Sequence, residues 1–409
     1  MKDWLKTSLL HILLFSALLV GIFYLFNFRV YRTTTDFSFS SDIPFSPAEY
    51  RPQTEPRVYS EKPKNIILFV ADGLGFSHMS LGLHTQQSEG TSSVWQQFDV
   101  KGWHDSKSTF GPLTDSGASA TAMATGKTTY WEVIGMDEEG ERLTNVFELA
   151  TEQGYQTAIV TDSYVWDATP AAFVAHTTSR DSSRDILMQI ASSELDLLFG
   201  ELEDVGEDEN PDYKTTIEIL KQRFHLLDKP LNTPIADVSD RPIAAIYKED
   251  EVQDLNSEPN LTQLTEKALE YLTTTDKPFM LLVECEEMDA ASHANNSQRV
   301  LRGLRSIQST LSLLLEFSEV QGETLVVFTS DHETGGLAAL GNFDNYPNMQ
   351  IRWSTKEHTG TVVPLLAKGT GAAHFASVEQ TWEIGEILKA LIVEEQGSVL
   401  QDVDNNPSE

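Results

Sequence analysis

Six short groups of carboxylates, imidazoles and one serine follow one another along the chain. They are Ala71-Asp72-Gly73, Thr114-Asp115-Ser116-Gly117-Ala118-Ser119, and Asp167-Ala168-Thr169-Pro170 with Arg180 further on. The second half adds Val283-Glu284-Cys285 with Asp289 and His293, Ser330-Asp331-His332-Glu333, and His358-Thr359-Gly360. Asp289 and His293 stand four apart, so a helix would present both to one ion. Asp331 and His332 are adjacent and can share an ion only where the chain turns, as it does beyond a strand. Their mixed nitrogen and oxygen donors suit zinc, whereas Asp72, Thr169 and Glu284 offer oxygens alone and suit a hard cation. Ser116 stands among small residues where a helix should start, with N–H groups and the positive dipole end directed at an incoming anion. Metal ions beside such a serine are the equipment for phosphoryl transfer to the serine and then to water.

Singly, each group has a plainer reading. Asp115-Ser116 could be a capped helix in a core, Asp289 and His293 a surface pair, Asp167-Ala168-Thr169-Pro170 a helix cap, and Arg180 a surface arginine. The chemical reading rests on all six occurring together.

Groups this far apart meet only through a fold. Apolar runs at 65–70, 157–161, 279–283 and 324–329 read as buried parallel strands, and each is followed at once by one of the groups. Ligands of open α/β sheets bind beyond the carboxyl ends of the strands, where these groups fall. Helical periodicity at 143–153 and 261–273 fills the gaps. The fold class expected is a three-layer αβα domain around a central, mostly parallel sheet. Residues 181–260 read as peripheral: an amphipathic segment at 186–198, an acidic loop at 200–213, otherwise loops and short helices.

Composition narrows the partners. The 409 residues are 40% hydrophobic, enough for a sizeable core, and carry a formal charge of −33. That charge excludes a nucleic-acid partner, which would need a basic surface. It also repels anions at long range, so a phosphate ester would need local positive charge from metals and an arginine. Cys285 is the single cysteine, so no intrachain bridge forms, and it reads as a small buried hydrophobe. Residues 8–26 lack charge and are flanked by Lys2, Lys6, Arg29 and Arg32. At about 1.5 Å per residue the run spans roughly 28 Å, and no cleavage signature follows, so a membrane-embedded signal anchor is expected. The divisions expected are an anchor at 1–30, a flexible linker at 31–63, a catalytic domain at 64–393 and a disordered acidic tail at 394–409.

From about Lys64 to Val393 the pattern resembles the alkaline phosphatase family. The resemblance implies a phosphomonoester hydrolase with two zinc ions and one magnesium ion. It implies Asp289, His293 and His358 at the first zinc, and Asp72, Asp331, His332 and the Ser116 oxygen at the second. Asp72, Thr169 and Glu284, with Asp167 holding a water, would take the magnesium. Ser116 would be the nucleophile and Arg180 the fork onto two phosphate oxygens. It also implies small phosphate monoesters as substrates, allows a homodimer, and puts the catalytic domain in the periplasm or outside the cell. Two departures stand out. Ala290 follows Asp289 where many relatives carry lysine or histidine reaching the phosphate through water, with Lys127 as the first substitute to examine. Only 25 residues separate His332 from His358, too few for the "crown" insertion of the best-known relatives.

The competing readings are another two-zinc enzyme, such as a phosphodiesterase or phosphoglycerate mutase, and a non-catalytic membrane-tethered metal- or phosphate-binding protein. Thr169 with Glu284 counts against a diesterase. The absence of a Cys-x-Pro-x-Arg sequence counts against a sulfatase, and the intact nucleophile and ligand set counts against a dead enzyme.

Overall fold

The structure, a computed structural model, describes residues 15–20, 61–88, 93–202, 213–238, 240–253, 256–340 and 350–393. The strands are β1 (Asn65–Ala71), β2 (Val100–His104), β3 (Gln156–Tyr164), β4 (Leu197–Leu202), β5 (His225–Leu226), β6 (Ile243–Lys248) and β7 (Phe279–Cys285). They continue with β8 (Thr324–Thr329), β9 (Glu333–Thr334), β10 (Leu337–Leu340), β11 (Gln350–Trp353), β12 (His358–Thr359) and β13 (Val363–Gly369). Nine form one sheet in the order β2-β13-β8-β1-β7-β3-β4-β6-β5. Only β13 runs against the rest, antiparallel to both β8 and β2. The four apolar runs singled out in the sequence are its contiguous centre, β8-β1-β7-β3, in parallel register.

The helices are α1 (Phe76–Ser88), α2 (Ser116–Thr125), α3 (Val146–Glu152), α4 (Ala168–Ala172) and α5 (Ser183–Ser192). After them come α6 (Tyr213–Leu220), α7 (Leu261–Leu272), α8 (Glu287–His293), α9 (Ser297–Gln321) and α10 (Thr381–Ile392). Alternation along β1 sends Ile66, Leu68 and Val70 to one face, into a core shared with α2, α3, α4, α5, α6 and α10. Ile67, Phe69 and Ala71 enter the opposite core with α1, α7, α8 and α9. Both faces of the centre are therefore covered, as the αβα expectation requires. Between β9 and β12 lies the antiparallel pair β10–β11.

Three expectations need correction. Residues 181–260 are not peripheral, because β4 and β6 extend the central sheet beyond β3. Glu201, a charge inside Leu197–Leu202, made that strand read as part of an acidic loop. It is buried, and its carboxylate accepts the backbone N–H groups of Asp250 and Val252 at 2.9 and 2.6 Å. The segment read as amphipathic over 186–198 is helical, as α5, only to Ser192, and β4 then begins at Leu197. Helix α3 starts at Val146 rather than 143, because Asn145 and Glu148 close a capping box over its first turn.

The chain divides between Ser46 and Pro47 into two units. In the first, the described residues are Phe15–Val20, which are helical, with Phe15, Leu18, Leu19 and Val20 exposed. The expected anchor at 8–26 otherwise lies outside the described residues, as do the linker through 60 and the tail at 394–409. Among the described residues no helix is long and apolar enough to cross a membrane, so the anchor has no structural support.

Gly385 sets how closely α10 approaches α2. A Cβ there would meet Gly126 N at 2.5 Å and Ala122 O at 2.7 Å, backbone atoms that cannot yield. Gly385→Ala should therefore force α10 away and cost about 1–3 kcal/mol, the usual range for overpacking. The expected result is a lower urea midpoint than wild type; an unchanged midpoint would show that the two helices can separate freely.

Candidate active site

Each of the four central strands delivers chemistry at its carboxyl end. Asp72 follows β1, Asp167 and Thr169 follow β3 at the start of α4, and Asp331 and His332 follow β8. Glu284 is the penultimate residue of β7, paired in register with Val70 and Thr161, and Asp289 lies in the first turn of α8 just beyond. Gly73 lets these ends converge. Its φ of +73° suits glycine, and a Cβ would meet the Asp289 carboxylate at 2.7 Å.

Ser116 is the first residue of α2, every residue of which is buried. Asp115 caps the helix by accepting the Ala118 N–H at 3.0 Å. Ser116 Oγ lies 3.3 Å from His332 Nε2. That nitrogen is also 3.5 Å from Asp72 Oδ1 and 3.2 Å from Asp331 Oδ2. Two donor sets emerge within reach of single ions: Asp289, His293 and His358, and Asp72, Asp289 and His332. Asp289 belongs to both, with its carboxylate 3.1 Å from His293 Nε2, 3.8 Å from His358 Nε2 and 3.9 Å from His332 Nδ1.

The three imidazoles are oriented alike. His358 Nδ1–H donates to the Thr114 carbonyl at 2.8 Å, and His293 Nδ1–H donates to the Lys356 carbonyl. His332 Nδ1–H donates at 3.2 Å to Thr334 Oγ1, whose own hydroxyl donates to Asp289 Oδ1. In each ring the Nδ1 partner leaves the Nε2 lone pair directed into the shared space, which is how ligand histidines are held. The Nε2 atoms of His293 and His358 are 3.2 Å apart, and the rings of His332 and His358 stack at 3.6 Å.

The oxygen-only group lies beside them. Glu284 Oε2 accepts the Thr161 hydroxyl at 2.6 Å, and Asp167 Oδ2 accepts the Ser163 hydroxyl at 2.9 Å. Arg180 bridges this group to the cap of the serine helix: Nη2 donates to Asp167 Oδ1 at 2.8 Å, and Nη1 lies 3.5 Å from Asp115 Oδ2.

So many acids together distort their own titration. Burial, then the charges of Asp331, Asp289 and Glu284, raises Asp72 well above the usual carboxylate range. Burial and Asp167 do the same to Glu284, and burial with Asp289 raises Asp331 to about 6. Burial pushes Asp289 upward too, but the hydrogen bond from His293 and the surrounding imidazoles hold it below its usual value. The same hydrogen bond raises His293 to about 9, while burial and the neighbouring His358 lower His332. Among the described residues, buried Asp72 Oδ1, Asp331 Oδ2 and Thr169 Oγ1 have no hydrogen-bond partner. Buried polar atoms left in this way, beside Nε2 lone pairs already aimed at them, fit cations.

Sequence reasoning missed Asp115, Thr334, Asp162 and Glu286. Asp162 and Glu286 add to the acidic interior: the Glu286 N–H donates to Asp162 Oδ1 at 2.6 Å, and burial raises Asp162 to about 7. Asp115 is legible as a helix cap, but its second partner, Arg180, lies 65 residues away and leaves no local signal. Thr334 carried no signal, because only the chain reversal through β9 turns it onto Asp289 and His332. His176 is engaged structurally, with Gly135 O at 2.7 Å and Glu148 Oε1 at 3.1 Å. Lys127 lies past the far end of α2, about 16 Å from Ser116 along the helix.

A family model described as Alkaline phosphatase matches residues 63–198 and 246–350. Alkaline phosphatase 3 of Bacillus subtilis is 27% identical over 326 residues, 74% of this chain and 68% of that protein. The alkaline phosphatase of Escherichia coli is 27% identical over 416 residues, 81% of this chain and 87% of its own. Among solved structures, alkaline phosphatase from the Antarctic bacterium TAB5 superposes with a TM-score of 0.72 at 26% identity, covering 81% of this chain and 98% of that one. A mutant of that enzyme is described with magnesium bound in its M3 site.

The raised carboxyls give a pH signature to protein stripped of divalent cations. A carboxyl raised on folding binds more protons folded than unfolded, so its contribution to stability is complete at low pH. That contribution is lost as pH rises, for Asp331 between its ordinary 3.8 and about 6. Melting curves in chelator should fall from pH 4 to pH 7, and Asp331→Asn should make the fall shallower. An equal fall in both proteins would mean that Asp331 is not the strained acid described.

Proposed function

The chain belongs to the alkaline phosphatase family, a phosphomonoester hydrolase by that membership, and we propose that it works through a phosphoserine formed on Ser116 with two zinc ions and one magnesium ion bound. The observation that carries the proposal is Ser116 Oγ, 3.3 Å from His332 Nε2, at the edge of two donor sets that share Asp289. Asp289, His293 and His358 would hold one zinc, and Asp72, Asp331 and His332 the other. Asp72, Thr169 and Glu284, with Asp167 through water, would hold the magnesium, for which an all-oxygen set is suited. When bound, these ions lower the pKa of the attacking hydroxyl and water and neutralise the departing oxygen.

The residues of the chain do the rest. Ser116, deprotonated, attacks phosphorus in line; the Oγ–P bond forms as the P–O ester bond breaks, and the alcohol leaves with a proton from water. Water then attacks phosphorus from the vacated side, the P–Oγ bond breaks, and Ser116 recovers its proton. The start of α2 directs backbone N–H groups and its positive dipole end at the phosphoryl oxygens. Arg180 leaves its carboxylate partners to fork onto two of those oxygens. Asp115 holds the serine turn and steadies Arg180 from the other side. Small phosphate monoesters are the substrates. The activity belongs outside the cytoplasm, where hydrolysis of esters without selection does no harm.

Two variants test the proposal. Ser116→Ala should lose the acid-stable phosphoenzyme that labelled substrate forms on wild type, with metal content retained; equal labelling would remove Ser116 from the mechanism. Ala290→Lys should restore a cation next to Asp289 and lower the inhibition constant of inorganic phosphate about tenfold, if the contact contributes roughly 1.4 kcal/mol. With phosphate release limiting, turnover should slow as well. Unchanged phosphate inhibition would show that position 290 does not reach the bound anion.

A further inference from the structure

On the segments just before and after α2 the chain exposes aromatic rings that the reaction does not use. Phe110 is 72% exposed and Trp131 46%, and Leu113 and Tyr130 lie with them. Phe110 sits on the turn in which the Gly111 N–H donates to the Ser108 carbonyl at 3.2 Å, and its ring lies 4.6 Å from that of Tyr130. The Thr109 N–H donates to the Thr129 carbonyl at 3.2 Å and joins this turn to the next segment. Trp131 is fixed rather than loose: its indole N–H reaches both Ser108 Oγ at 3.0 Å and the Leu113 carbonyl at 3.1 Å.

The shelf is built into the site. Leu113 precedes Ser116 by three residues, at most about 11 Å of chain. The next residue after Trp131, Glu132, donates its N–H to Asp115 Oδ2 at 3.1 Å and accepts the Arg180 N–H at 2.7 Å. Glu132 holds a φ of 65°, a conformation unfavourable for a side chain and kept by those two bonds. One strained segment thus ties the rings to the helix cap and to the phosphate fork.

We infer that this shelf receives the leaving group of the ester, and that the preferred phosphate monoesters carry a planar aromatic group, a nucleobase or an aryl ring. The inference rests on the phosphomonoesterase reading above. In a protein of charge −33 an uncharged stacking surface is one way to gain binding from the alcohol half without adding repulsion. The placement suits it, because the Trp131 indole is held on the Leu113 carbonyl, three residues before Ser116, and Glu132 is held on the serine's cap. Stacking on an aromatic side chain is sequence-tolerant and strong enough to set a preference.

The test compares esters that share the reacting group. In the metal-loaded enzyme, kcat/KM for adenosine 5′-monophosphate divided by that for ribose 5-phosphate should exceed one. It should fall about tenfold in Phe110→Ala and recover in Phe110→Tyr. Benzyl phosphate against ethyl phosphate, run alongside, separates the sources: a loss in both pairs assigns any planar ring, and a loss in the first alone assigns a nucleobase. Turnover of all four esters with both ratios unmoved overturns the shelf while leaving the phosphatase intact. Turnover of none overturns the phosphatase reading and the shelf with it. A dimer that Phe110→Ala dissociates without moving either ratio makes the rings a subunit interface, which also overturns the inference.

Discussion

Carboxylates from the ends of four parallel strands are crowded into one buried space, and much of the structure answers to that crowding. An isolated buried carboxylate is expensive, and several together repel one another as well, so the protein must supply positive charge or take it from ions. The raised values of Asp72, Glu284 and Asp331 are the electrostatic record of a deficit that Arg180 alone does not cancel. A fold with this interior is built around cations.

The parallel sheet makes the crowding available. Strands β8, β1, β7 and β3 all point the same way, so every loop at one edge faces the same space, and both of their faces are sealed by helices. The loops are free to carry charge because the apolar strands beneath them hold the fold. Gly73 then brings β1 close to α8, where any side chain would strike Asp289.

Asp289 is the hub. The His293 hydrogen bond and the surrounding imidazoles hold its carboxylate below the usual value, and through Thr334 it is linked to the ring of His332. Backbone carbonyls of Thr114 and Lys356 fix the other two rings. Rotations that would otherwise be lost on binding an ion are already restricted in the folded chain. The serine joins this arrangement through the rigidity of α2, buried along its whole length and fixed at both ends by Asp115 and the Gly126 cap.

The sequence by itself determined which residues offer donors and where the sheet's centre lies. Apolar runs long enough to be buried strands, each ending in a charged group, have few stable arrangements other than a parallel sheet, and Asp289 with His293 is a helical spacing that needs no tertiary information. Local patterns failed where burial overrode composition. Glu201 disguised β4 as an acidic loop, since only the backbone N–H groups of Asp250 and Val252, some fifty residues away, make its burial tolerable. Thr334, Asp162 and the fork of Arg180 between Asp167 and Asp115 were likewise decided by the tertiary structure. Which residues offer donors is a local property; which way a ring turns, and which acid shares a space with which, depends on contacts between segments far apart in the chain.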